Sequence, residues 1–433
     1  MFLQLAVMVA AIALGSRKGG IAMGLWGAVG VFVLATVFDV TPADTGGIVD
    51  VMLIILAVIT AAAAMEAAGG IDFLVGVAER AIRRKPRMVT FVAPLVSWAF
   101  TLGAGTAHVF YPLLPVIHDV AREGGVRPER PIAVSSIAAT VGITASPVSA
   151  AMAAMIVMFD GDGWNLPRIM AVAVPSTLIG VVVAACVQSR IGAELSEDPE
   201  YRRRLAAGEV GEALAGERPE PRPRARWSAW LFLAGTGAVV LSGLFPGLRP
   251  TGPKGPLGMP ATIEILMMSV AALILLVCKV DAKRIPGTDV ARSGLVAVIG
   301  VFGLSWLGLS FIGANEHRIT GALGGIARDH PWFFAVMLLV LSGLLFSQAT
   351  TTKALMPLGV ALGIPAPLLI AMWPAVNGYF LLPTYGTFIA AINFDRTGTT
   401  KVGRFVVNHS FMLPGLVTVI TAVACGFGIS QLV

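Results

Sequence analysis

The chain has 433 residues, of which 13% are charged and 56% hydrophobic, and its mean hydropathy is +0.83. A soluble core of that size would leave too little polar surface to cover it, which excludes a water-soluble globular protein and indicates an all-α polytopic membrane protein. The formal charge of +6 does not by itself imply a nucleic-acid partner, because basic residues in a membrane chain first sort by side of the bilayer.

Ten full-length apolar segments run at roughly 2 to 15, 20 to 38, 48 to 69, 131 to 158, 167 to 189, 227 to 247, 259 to 278, 293 to 314, 366 to 393 and 405 to 431. The first lacks a basic flank before its apolar run and no A-x-A-like cleavage site follows it, so it reads as a retained membrane helix rather than a signal peptide. The stretch 88 to 118 is too long for one span and too short for two; it predicts a re-entrant hairpin turning at Leu102-Gly103-Ala104-Gly105-Thr106-Ala107-His108. Residues 131 to 159 carry no charge yet contain Thr144-Ala145-Ser146-Pro147-Val148-Ser149 at their centre. Pro147 removes a helix hydrogen bond there. Such an interruption is tolerated at bilayer depth only inside protein or beside a cavity, so it predicts a broken helix around a binding site.

Residues 191 to 226 form the one long hydrophilic stretch and read as a solvated cytoplasmic connector with one lateral helix and no chemistry of its own. The second half follows the same plan. A second hairpin is predicted over 331 to 362, turning at Ser347-Gln348-Ala349-Thr350-Thr351-Thr352-Lys353, and a second broken helix is interrupted at Leu382-Pro383-Thr384-Tyr385-Gly386-Thr387. Cys186, Cys278 and Cys425 have no paired spacing, so no metal site and no disulfide framework is expected.

The basic residues fix the topology. With both termini outside, 25 of the 31 Lys and Arg fall in six inside loops, and Arg168, Arg249, Lys254, Arg318 and Arg328 lie outside. Only Lys353 is left within the membrane. Turning either hairpin into a full span would lose that bias. The two halves are then inverted-topology repeats, each with five transmembrane helices and one re-entrant hairpin. Residues 1–83 and 227–330 form scaffold parts, 84–190 and 331–433 transport parts with a hairpin and a broken helix each, and 191–226 the linker.

Hydroxyl clusters coincide with Gly or Pro at both tips and both breaks, which simple helix-to-helix adhesion does not require. Half-helix N-termini there offer positive partial charge to an anion. Lys353 lies too deep for easy snorkelling and calls for an anionic partner. His108 is the candidate for proton or cation coupling. Glu66 and Glu264 sit near segment ends and are expected to reach an interface. No H-E-x-x-H, G-x-S-x-G, P-loop or Cys/His metal spacing occurs, so the reading is of a non-enzyme without cofactor; a primary pump would need a nucleotide domain that the chain has no room for.

Several stretches carry a family likeness: Gly15-Ser16-Arg17-Lys18-Gly19-Gly20-Ile21, GAGT at the first tip, ITASPVSAA at the first break, SEDPEYRRRL in the linker, SQATTTKALMP at the second tip and LLPTYGTFIAAINFDRTGTTKVGRFVVNHSF. In these the chain resembles the anaerobic four-carbon-dicarboxylate (Dcu) transporters along essentially its whole length. It departs after Gly105-Thr106, where Ala107-His108-Val109-Phe110-Tyr111 stands in place of smaller polar residues. The resemblance implies transport of fumarate, succinate, malate and aspartate across a bacterial inner membrane, mainly as fumarate/succinate antiport in anaerobic respiration. By likeness to the ion-transporter superfamily it also implies a homodimer and an elevator-type mechanism.

On that reading Thr106, Thr144, Ser146 and Ser149 serve one substrate carboxylate and Thr351, Thr352, Lys353, Thr384 and Thr387 the other. A cation- or proton-coupled carrier of another organic anion is the first rival, and carboxylates expected at its breaks do not occur here. The second is a transporter-like co-sensor of dicarboxylates with a sensor-kinase partner.

Overall fold

The computed structural model describes the whole chain except residues 19–20, 160–162, 211–221, 254, 346, 383–384 and 403–407, and gives only the backbone for 16, 17, 23, 47, 108, 109, 293, 297, 301, 316, 319–328, 344 and 386. It is helical nearly throughout. The first half begins with α1 (Phe2–Lys18), α2 (Ala22–Val37) and α3 (Gly46–Ala67). There follow α4 (Gly70–Arg83), a helix pair α5 (Val89–Ala104) and α6 (Leu113–Glu123), the interrupted pair α7 (Glu129–Ala145) and α8 (Ala150–Met158), and α9 (Leu166–Gln188). After the short α10 (Pro199–Ala206), the second half opens with α11 (Ala225–Leu244), α12 (Met259–Cys278) and α13 (Asp289–Asp329). It continues with a helix pair α14 (Trp332–Leu345) and α15 (Gln348–Ala361), α16 (Ala366–Met372) running into the 3-10 segment Trp373–Leu381, then α17 (Gly386–Phe394) and α18 (Met412–Ile429). A two-residue antiparallel ladder, β1 (Thr251–Gly252) on β2 (Gly255–Pro256), is a small exception to the helical plan.

Eight helices among the described residues are long and apolar enough to cross a membrane, and four shorter apolar helices accompany them. Together they cover the ten apolar segments and the first arm of each hairpin. Large side chains such as Phe2, Leu25, Phe32, Leu241, Leu276 and Ile420 stay exposed on these helices, which water would not tolerate and lipid favours. The Glu129–Met158 span is the most enclosed: 83% of its apolar window lies inside the protein, against 33% for Met259–Cys278. The broken helix is therefore central.

The halves interlock through their early helices: α2 packs on α13, and α3 on α12 and α13. Small residues make this approach. A Cβ on Gly24 would come within 2.0 Å of the Ile299 carbonyl oxygen, and one on Gly303 within 1.8 Å of that of Gly24. The late helices form a second packed group, with α5 on α7, α14 on the 3-10 segment, and α9 on α18.

Four boundaries differ from the sequence reading. Residues 70–83, read as loop, form α4, because Leu74, Ala78 and Ile82 repeat at a four-residue spacing and put an apolar stripe on the protein. The segment 315–330, also read as loop, continues α13, since no proline falls between Pro286 and Pro331 to stop it. At 41 residues α13 is about 60 Å long, roughly twice the hydrocarbon thickness. At the second tip α15 already starts at Gln348, with Ser347 as its N-cap, so Thr350 to Lys353 belong to the first turns of α15. The last span starts at Met412 rather than 405, after an isolated bridge between Val402 and His409.

Candidate functional site

The first break is short and wholly buried. α7 stops at Ala145, where Ser146 turns extended ahead of Pro147, and Ser149 restarts the chain as the N-cap of α8. Its Oγ accepts from the Met152 amide at 3.0 Å, and the Ser146 Oγ accepts from the Val148 amide at 3.3 Å. The Thr144 hydroxyl donates back to the Val141 carbonyl at 2.6 Å. The first tip leans on this break. Gly105, at φ +70°, ends α5, and a Cβ there would meet the Val148 carbonyl oxygen at 2.8 Å. Thr106 is half-buried next to it. The side chain of His108 lies outside the described residues.

The second tip is built on Ser347, the N-cap of α15, whose Oγ accepts from the Thr350 amide at 3.2 Å. Thr351 donates to the Ser347 carbonyl at 2.8 Å, and Thr352 accepts from the Trp373 indole at 2.9 Å. Lys353 is 5% exposed, and its Nζ has no hydrogen-bond partner among the described residues. Helical side chains lean toward the N-terminus, which directs this one back toward the tip. Thr387, in the first turn of α17, is buried with its hydroxyl likewise unpartnered. Thr384 lies outside the described residues.

One chain of amides ties these parts together. The Gln348 side chain donates to the Thr140 carbonyl and to Asn377 Oδ1, both at 2.8 Å, and Asn377 Nδ2 donates to the Pro374 carbonyl at 2.9 Å and toward Thr144 Oγ1 at 3.4 Å. The second tip is thereby bonded to the first broken helix, across the two halves. α8 also packs on α15. Their caps hold the third amide of each, leaving the first amides as the orphan donors of any helix start. Of the site residues read from sequence, Thr144 is thus joined to the second tip, Ser146 and Ser149 line the first break, and Thr351 to Lys353 line the start of α15. Among the described residues no hydrogen bond ties the Thr387 hydroxyl to the others. Sequence reasoning passed over Asn377 and the side chain of Gln348. The Asn377-Gly378 pair was a turn signal in the middle of an apolar run.

A second polar cluster occupies the other end of the late helices. Arg127 pairs with Glu129 and Asp198, Glu129 accepts from the Ser410 hydroxyl at 2.6 Å, and Asp395 accepts from Thr399 at 2.8 Å and the Thr400 amide at 2.6 Å. Burial raises the Asp198 carboxyl, but the Tyr201 amide and the Arg127 guanidinium outweigh it and hold it below the ordinary carboxylate range. His118 sits between Asp119, 3.0 Å from Nδ1, and Asp395, 3.8 Å from Nε2. Through Asp198, Glu194 and Arg204 the start of the linker is docked on these elements rather than free in solvent. No group of His, Cys, Asp and Glu among the described residues could hold a metal ion.

A multi-pass helical membrane protein with buried breaks, capped half-helices and a buried lysine without a hydrogen-bond partner among the described residues has the makings of a membrane carrier's binding centre. Comparison with known proteins gives the family. The sequence profile described as "Anaerobic c4-dicarboxylate membrane transporter" matches residues 1–433, and the chain belongs to that family. It is 41% identical to the C4-dicarboxylate transporter DcuA of Escherichia coli (strain K12), covering 98% of both chains. It is 40% identical to the anaerobic C4-dicarboxylate transporter DcuB of Escherichia coli O6:H1, over 98% of this chain and 97% of the relative, and 40% identical to DcuA of Wolinella succinogenes, over 98% of both. These relatives are transporters, not enzymes.

Proposed function

We propose that this chain is a secondary carrier of four-carbon dicarboxylates, exchanging fumarate for succinate and accepting malate and aspartate across a bacterial inner membrane. The observation that carries the reading is Lys353: a buried basic side chain whose nitrogen has no hydrogen-bond partner among the described residues, on a helix whose first turns carry Thr350, Thr351 and Thr352, in a chain whose full-length relatives are named for C4-dicarboxylates. A dicarboxylate needs two positive regions a few Å apart. The start of α15 with Lys353 would take one carboxylate, with Thr351, Thr352, Thr384 and Thr387 around it; the start of α8, with Thr106, Thr144, Ser146 and Ser149, would take the other. Hydroxyls donate without fixed charge, so the substrate can leave again.

Exchange follows from the same charge. A loaded site crosses neutralised, whereas an empty one would carry Lys353 and two helix dipoles through the membrane unpaired. Apart from the amphipathic α4, which has no counterpart in the second half, the recurrence in both halves of three helices, a helix pair, an interrupted helix and a closing helix supports an inverted repeat. The early helices interlock with one another and the late ones pack with one another, with α3 on α8 and α13 on α15 between them; this grouping supports an elevator in which the late helices move and the early ones make a homodimeric scaffold. The distribution of Lys and Arg supports both termini lying outside.

The test is counterflow in proteoliposomes. Vesicles loaded with succinate are expected to accumulate labelled fumarate without a sodium gradient, and empty vesicles are expected not to. Equal uptake by loaded and empty vesicles, driven only by sodium or proton gradients, would overturn the exchange mechanism.

A further inference from the structure

We propose that the outward face of α4 and the turn after it hold the phosphodiester headgroups of anionic phospholipids at the membrane surface. α4 presents more than its protein-facing stripe. Phe73, Val77, Arg80 and Arg84, at i, i+4, i+7 and i+11, fall on a second face of the helix. Val77, Arg80 and Arg84 are exposed and Phe73 is half-buried. Lys85, Arg87 and Met88 continue this exposed surface as far as Val89, where the apolar helix α5 begins.

The basic groups on this face are largely uncompensated. Arg83 is committed, to Glu79 at 2.8 Å and to both carboxylate oxygens of Glu123 at 3.0 and 3.1 Å. Arg80, Arg84, Lys85 and Arg87 make no side-chain hydrogen bond or ion pair among the described residues. Asp72, the exposed acid of the helix, lies about two turns from Arg80.

A neighbouring helix marks the depth of this face. α4 starts against α11, for a Cβ on Gly70 would come within 2.4 Å of Ser228 Oγ and 3.1 Å of the Ala229 amide nitrogen. Trp227 and Trp230, on either side of that contact, are exposed, and the Arg226 guanidinium lies 5.5 Å from the centroid of the Trp227 ring. Exposed tryptophans on membrane helices gather where hydrocarbon meets headgroups. A soluble anion or an acidic protein would satisfy the basic side chains at that depth and leave Val77 and Met88 uncovered. An anionic phospholipid matches both, with acyl chain against the apolar side chains and phosphodiester oxygens accepting from the guanidinium groups. α4 touches α3 and α11 of the early helices and α5 and α6 of the late ones, so the lipid would anchor the helix that joins the two groups. The site is independent of what the protein carries.

The test titrates the purified protein, in a neutral detergent, with phosphatidylglycerol or phosphatidylcholine and counts bound lipid by native mass spectrometry. The wild type is expected to retain phosphatidylglycerol in preference to phosphatidylcholine. Arg84→Gln should weaken phosphatidylglycerol binding about fivefold, and Arg80→Gln, Arg84→Gln, Lys85→Gln and Arg87→Gln together about a hundredfold or more. The lipid-free melting temperature should not move, since these side chains are exposed and unpaired, and Arg80→Lys, Arg84→Lys and Arg87→Lys together should keep most of the binding. Wild-type retention of phosphatidylglycerol in both Gln proteins overturns the site, as does equal retention of the two lipids by the wild type. Displacement of phosphatidylglycerol by millimolar inorganic phosphate would overturn it as well, because the face would then bind soluble anions rather than lipid.

Discussion

Replacing Gly105 by alanine tests whether the first tip is seated on the first break. Gly105 sits at φ +70°, a region that costs an L-residue with a Cβ about 1–2 kcal/mol. The added Cβ would lie 2.8 Å from the Val148 carbonyl oxygen, 3.0 Å from its carbon and 3.1 Å from Val148 Cγ2, all buried backbone or branched side chain with little room to give. Overpacking of this kind costs about 1–3 kcal/mol, so the sum is about 2–5 kcal/mol, a large part of an ordinary domain's stability. Gly103 is the control, two residues away. Its Cβ would meet only Leu233 Cδ2 at 3.4 Å, and alanine in a helix gains about 0.5–1 kcal/mol over glycine. Thermal unfolding of the purified proteins in detergent should show Gly105→Ala melting well below wild type and Gly103→Ala at or above it. Equal melting temperatures for Gly105→Ala and wild type would refute the contact.

Other outcomes follow from the same structure. Asn377→Leu removes the acceptor of Gln348 and the donor to Thr144, and should lower the melting temperature while slowing exchange; a fast, stable variant would mean the amide chain does not couple the halves. Lys353→Gln should lose exchange more than stability, and Lys353→Arg should not restore it, because the planar fork is larger and differently directed; exchange at wild-type rates in both would remove Lys353 from the site. Asp198→Asn keeps an N-cap oxygen for α10 but loses the charge facing Arg127, so the linker should be cut faster by protease at neutral pH. Because the folded Asp198 carboxyl titrates below its unfolded value, this docking is fully present above about pH 4 and is lost as pH falls further; release of the linker between pH 7 and 5 would contradict it. In a protein with its three cysteines replaced, Thr41→Cys should label from outside the cell and Ser196→Cys should not.

What could be read from the sequence was whatever depends on local chemistry. Pro147 marked the first break only in combination with the hydroxyls around it, since Pro94 and Pro175 lie in apolar runs that stay helical, and Lys353 stood out as the one basic residue without a side of the membrane. The amide chain was not legible. Gln348, Asn377 and Thr140 are far apart in sequence, and only the folding of the second tip against the first broken helix gives their bonds a direction. His118, Asp119 and Asp395 were hidden for a different reason: charged residues at span ends look like topological markers, and their pairing is set by the packing of α6 against α17. Helix ends were misplaced where a stop signal was assumed, as in α13, or where an amphipathic stripe was passed over, as in α4.

The central claim is that one carboxylate of the substrate is held by Lys353 and the start of α15 and the other by the start of α8. A structure determined with fumarate bound tests it most directly. The account expects one carboxylate within about 3 Å of Lys353 Nζ and of the first amides of α15, and the other within the same reach of the Ala150 and Ala151 amides. Fumarate bound away from both helix starts, with the Lys353 nitrogen turned from it, would contradict the account.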